Sequence, residues 1–165
     1  MRVLVAAASK HGSTHEMAEA IGEAIARTGA QVTVARLEDG PDLSGYDAVV
    51  LGSAVYVGHW VEQARRFVED HHLELADRPV WLFSSGPVGA PLKPDDVHAV
   101  DAAGIVEATG AREHRLFAGR LDPSRLGFGE RALMRAVRAA EGDYREWDEI
   151  RGWATDIGKA LRPAP

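Results

Sequence analysis

From Val3 to Ala8 every residue is apolar, the pattern of a strand covered on both faces. A polar corner follows, Ser9-Lys10-His11-Gly12-Ser13-Thr14, and then Met17, Ile21, Ala24 and Ile25 recur at helical spacing. Ser13 and Glu16 have the spacing of a capping box, and Gly29 supplies a stop, so a helix is expected between them. Gln31 to Leu37 alternates apolar with polar, as a less buried edge strand would. Buried strands are expected at residues 47–53 and 79–84 and a final strand at 114–119; helices are expected at 60–72, 94–109 and 147–161. Strands alternating with helices predict a doubly wound parallel α/β sheet with helices on both faces.

One stretch interrupts the alternation. Between the final strand and the final helix lie residues 120–146, far longer than an ordinary connection. Within it Phe128, Ala132, Leu133, Ala136 and Val137 share one helical side, and Arg131, Arg135 and Arg138 another. The expectation is an inserted amphipathic helix with a basic stripe. That stripe either pairs with an anionic group or is a solvated face on a helix whose apolar side packs on the domain.

The chain has 165 residues, room for one domain with a full core, and its 45% apolar and 27% charged content is that of an ordinary soluble protein. With no cysteine it has no disulfide, thiolate nucleophile or cysteine-held metal, and a cytoplasmic location is expected. No apolar stretch, the N-terminal one included, is long enough for a signal or membrane span. The net charge of −6 argues against general nucleic-acid binding. It is concentrated in residues 1–118, with 10 basic against 17 acidic residues, while 119–146 carries 6 against 5.

In a doubly wound sheet, ligands collect at the carboxyl ends of the strands. The first such corner, Ser9 to Thr14, joins hydroxyls, a lysine and a glycine to a helix N-terminus, a set suited to phosphate. The competing reading is a helix cap and nothing more. The glycine patterns of dinucleotide and ATP sites are missing. Two further corners, Gly52 to Trp60 and Ser84 to Pro91, should open on the same end. Their glycines admit close backbone approach, and Tyr56 and Trp60 either offer ring faces to a flat heterocycle or pack as core. His11 and His15, followed by Glu16, lack a third ligand, so no metal site is expected. Ser84-Ser85-Gly86 lacks the leading glycine of a nucleophile elbow. The acidic strand ends of phosphoacceptor receiver domains are replaced by Ala7-Ala8 and Gly52-Ser53.

These residues resemble flavodoxin-like FMN proteins. Ser9-x-x-Gly12-Ser13-Thr14 is similar to the flavodoxin phosphate loop [ST]-x-T-G-x-T, with His11 in place of the usual threonine. Gly52-Ser53-Ala54-Val55-Tyr56-Val57-Gly58-His59 and the long segment ending Gly142 to Ile157 resemble the menaquinone-dependent protoporphyrinogen dehydrogenases. The resemblance implies one flavodoxin-like domain over residues 1–165, a five-stranded sheet in order 2-1-3-4-5 and non-covalent FMN. It implies that Ser9, Lys10, His11, Gly12, Ser13 and Thr14 hold the phosphate. Ala54, Val55, Tyr56, Val57 and Gly58, with Ser85, Gly86 and Pro87, would flank the isoalloxazine. It further implies an oxidoreductase using a quinone or porphyrin, with peripheral membrane contact through the insertion. A flavodoxin-type electron carrier to a partner protein and a flavin-free binding module are the alternatives.

Overall fold

In the computed structural model, residues 1–86, 100–136 and 141–162 are described. The elements are β1 (Arg2–Ala8), α1 (Ser13–Ala26), β2 (Gln31–Arg36), β3 (Ala48–Tyr56), β4 (His59–Trp60), α2 (Glu62–Ala76) and β5 (Val80–Ser85). They continue with α3 (Ala103–Thr109), β6 (Glu113–Phe117), β7 (Arg120–Leu121), α4 (Phe128–Ala136), β8 (Gly142–Asp143) and α5 (Trp147–Ala160). Five parallel strands run in the order β2-β1-β3-β5-β6. Once the short antiparallel β4 is set aside, that is the order expected from the sequence. Pro87, the first six positions of the expected 94–109 helix, Val137 and Arg138 lie outside the described residues.

The uninterrupted apolar runs explain the layering. Val3, Val5 and Ala7 of β1 point into one core, where Met17, Ile21 and Ile25 of α1 meet Ile150, Trp153 and Ile157 of α5. Leu4, Ala6 and Ala8 point into the other, with Phe67 and Val68 of α2 and the α3 approach, Val100 and Ala102. A strand whose residues alternate between two buried faces must be apolar at every position. β2 lies at the sheet edge and is nowhere fully buried: Val32 packs on one core and Ala35 on the other, and the strand is paired with β1 in parallel register from Arg2↔Gln31 to Ala7↔Arg36. Gly52 has its own reason: a Cβ there would collide with the Phe83 ring of the neighbouring strand.

The structure departs from the sequence reading in several places; residues 100–102, expected to be helical, lie before the start of α3 at Ala103. The third strand does not stop at Ser53. It runs on to Tyr56 and turns back through Val57-Gly58 into β4, with Val55↔Trp60 and Tyr56↔His59 paired. Next, the insertion is pinched at its base by a two-stranded ribbon, Arg120↔Asp143 and Leu121↔Gly142. Finally, Phe128 does not pack on the domain; it is 91% exposed at the start of α4.

Candidate functional site

Three loops come together because three parallel strands end side by side. Ala8 is in register with Ser53, and Ala54 with Ser85, so the segments after β1, β3 and β5 leave the same edge of the sheet. The sequence-expected residues Ser9 to Thr14, Ala54 to Gly58, and Ser85 with Gly86 therefore do share one end of the sheet. The described edge beneath them carries no charge: Ala7, Ala8, Gly52, Ser53 and Ser84 are buried.

The first loop turns into α1 through Gly12 at φ 88°, a left-handed conformation that glycine adopts without strain. Gly12, not Ser13, is the N-cap, and it has no side chain of its own to cap the helix. The expected capping box does not form, because Glu16 is drawn elsewhere: its carboxylate meets Arg145 and lies 4.0 Å from Arg125. Ser9 takes over part of the capping task from outside, its Oγ accepting from the N–H of Gly12 at 3.0 Å and of Thr14 at 3.4 Å. Ser13 Oγ is left buried with no hydrogen-bond partner at the positive end of the helix. An orphaned donor in that position is a group awaiting an acceptor, and it matches what a phosphate would supply.

The insertion lies across this loop, which sequence spacing did not reveal. Glu130 of α4 accepts from Lys10 Nζ at 3.4 Å, and its other oxygen is 2.9 Å from His11 Nε2. The same carboxylate accepts from the Gly127 N–H. Desolvation is the largest single influence on this carboxyl and acts upward. The Gly127 N–H and the charges of His11 and Lys10 together outweigh it and hold the group below the ordinary glutamate range. Arg125 donates to the His11 carbonyl at 3.0 Å. Arg145, with a side chain only 4% exposed, donates to the Ser13 carbonyl, joins Glu16 to Asp143 and lies over the Trp147 ring at 4.5 Å. The arginines at the loop are thus Arg125 and Arg145, which sequence reasoning did not single out. Of the expected stripe, Arg131 and Arg135 are exposed and Arg138 is outside the described residues.

The second loop offers one ring and withholds the other. Tyr56 is half-buried with Lys10 Nζ 4.4 Å from its ring centroid, linking the first loop to the second. Burial, with Glu130 adding to it, pushes its hydroxyl up to about 12. Trp60 is core: it is 1% exposed and its Nε1 donates to Ser84 Oγ at 2.7 Å. That hydroxyl lies 2.7 Å from His114 Nε2. Ser84 Oγ thus bridges the indole N–H and the imidazole, and the direction of its bond to Nε2 follows the His114 tautomer. Burial lowers the His114 pKa, which favours the neutral ring. Ser53 Oγ, also buried, accepts from the Val61 N–H and fixes where the returning chain enters α2. Val57 and Gly58 form the turn at φ 50° and 79°. On the third loop, Gly86 stands at φ 102° and its N–H donates to the Phe117 carbonyl.

A family profile described as Flavodoxin domain matches residues 4–148. Protoporphyrinogen IX dehydrogenase [quinone] of Escherichia coli (strain K12) is 24% identical over 172 aligned positions, covering 95% of this chain and 94% of that protein. An oxidised flavodoxin 1 from Bacillus cereus superposes with a TM-score of 0.66 at 20% identity, covering 98% of this chain and 100% of that one. A flavodoxin from the domain Archaea gives 0.65 at 18% identity, over 97% and 98% of the two chains.

Proposed function

The chain belongs to the flavodoxin-domain family, its cofactor is FMN, and from that premise we propose that it is an FMN-dependent oxidoreductase exchanging electrons with a small organic partner of the quinone class. The observation that carries the reading is the orphaned Ser13 Oγ at the α1 N-terminus, at the edge where two glycine-bearing loops also emerge. In this reading Ser13, Thr14 and the backbone of residues 10–14 hold the phosphate, with Lys10 supplying charge. Ala54 to Gly58 lie along one side of the ring system, and Ser85 and Gly86 along the other. Tyr56 would meet the ring only after Lys10 leaves its face, so phosphate binding and ring stacking are coupled through one side chain.

Bound FMN supplies the redox chemistry, and the protein positions it and sets its potential through nearby hydrogen bonds and charge. The resemblance to a quinone-linked dehydrogenase and the long insertion beside the loop support an enzyme. The acidic body supports the second reading, an electron carrier docking on a basic partner protein. Among the described residues no helix is long and apolar enough to cross a membrane. The exposed Phe128 and the basic α4 support peripheral contact with an anionic surface.

Titrating FMN with the apoprotein should quench flavin fluorescence to a sharp stoichiometric end point. Mixing the dithionite-reduced complex with menadione, at matched electron equivalents, should then reoxidise the flavin absorbance. Absence of quenching would overturn the cofactor site. Quenching without reoxidation by quinone would leave the carrier reading standing.

A further inference from the structure

We propose that Glu130 acts as a built-in competitor of the FMN phosphate, occupying the Lys10 and His11 side chains of the phosphate loop while that loop is empty and thereby setting its affinity and its selectivity for phosphorylated flavin. The inference rests on the FMN site argued above. Its basis is the placement of one carboxylate from the insertion on both ionisable side chains of the loop, His11 at 2.9 Å and Lys10 at 3.4 Å. These are contacts between residues 119 or 120 positions apart, and they exist only because α4 lies across the loop.

The physical argument concerns charge and availability. A phosphate arriving at the α1 N-terminus brings up to two negative charges, and it gains from every cation it can draw in. Here Lys10 is already shared between the Glu130 carboxylate and the Tyr56 ring. His11 stands where the resembled loops carry a hydroxyl, and it too is engaged by Glu130. The incoming phosphate must either displace that carboxylate or sit beside it, and both weaken binding. Arg125 partly offsets the repulsion. Its guanidinium, 3.0 Å from the His11 carbonyl, is already committed to the loop backbone and to Asp122. Glu130 is held in place by the Gly127 N–H as well as by the loop, so it does not simply swing into solvent when a phosphate approaches. Riboflavin, which has the same ring and no phosphate, is indifferent to this contest.

The test compares FMN and riboflavin dissociation constants, by fluorescence quenching, for the full-length wild type and for Glu130→Gln. The glutamine keeps the shape and removes the charge. FMN is expected to bind the variant about 1.5-fold to fivefold more tightly, the range of one exposed charge pair. Riboflavin affinity is expected to stay unchanged, and the FMN difference should shrink in about 0.5 M salt, where the screening length is only a few ångströms. Glu130→Ala should move in the same direction, which guards against a fault specific to the glutamine. Unchanged or weakened FMN binding in both variants would overturn the proposal, as would equal tightening for riboflavin. If wild type and variants all fail to bind FMN, it is the cofactor site itself that falls.

Discussion

Val57 occupies a backbone conformation that its side chain resists, and replacing it should stabilise the protein. Its φ of 50° is left-handed, and it is the only non-glycine residue with positive φ among those described. A β-branched residue there costs about 1–2 kcal/mol relative to one that tolerates the region. The two-residue connection between Tyr56 and His59, with Gly58 at φ 79°, is the geometry of a type I′ turn, for which Asn-Gly is the preferred pair. Val57 is 81% exposed, so little burial is lost on substitution. Val57→Asn is therefore expected to gain about 1 kcal/mol, a rise in Tm of roughly 2–4 °C for a domain of this size. Urea denaturation of the apoprotein, with calorimetry as a second probe, reads it directly. Val57→Thr serves as the control: it adds polarity but keeps the branched Cβ, and should gain nothing. If Asn is no more stable than Val, or if Thr gains as much as Asn, strain at this turn is not the reason.

Arg145→Ala strips two carboxylates, Glu16 and Asp143, of a nearly buried partner and should cost about 2 kcal/mol. It should also speed limited proteolysis within residues 120–146, because Arg145 ties the base of the insertion to the Ser13 carbonyl. An unaltered cleavage rate would mean the insertion is held by other contacts. Stability should fall as the pH drops below about 6.5. His114 and His15 both have folded-state pKa values below their ordinary value, chiefly through burial, so the unfolded chain binds protons more readily. Their contribution is complete above the unfolded pKa and is lost as pH descends toward the folded one. In His114→Gln, whose amide can still hydrogen-bond Ser84 in either direction, the urea-derived stability should depend less steeply on pH across the histidine range, roughly pH 7.5 to 5.5, than in wild type. An identical slope would show that His114 is not the group responsible.

What can be read from the sequence is whatever local periodicity encodes. Val3 to Ala8 must be buried on two faces because its apolar run is unbroken, and Gln31 to Arg36 is marked as a less buried edge strand by its interspersed polar residues. The polar corner at Ser9 to Thr14 is visible for the same reason: hydroxyls and glycine break an apolar run where a helix must begin. Local spacing misleads where a distant partner outcompetes a near one. Glu16 has the spacing to reach back toward Ser13, yet a guanidinium 129 residues away is the stronger partner. The β4 hairpin and the β7–β8 ribbon leave no trace in the pattern because each of these strands is two residues long, too short for any alternation to register. Helical phase groups Phe128 with an apolar side, but phase shows only that residues share a side, not that another element covers it.

The most direct test of the central claim is a crystal structure of the protein with FMN bound. The phosphate oxygens should lie within hydrogen-bond distance of Ser13 Oγ and of backbone N–H groups between residues 10 and 14, with the Lys10 ammonium lifted from the Tyr56 ring. A flavin whose phosphate lies elsewhere, with Ser13 Oγ still unpartnered, would contradict the account.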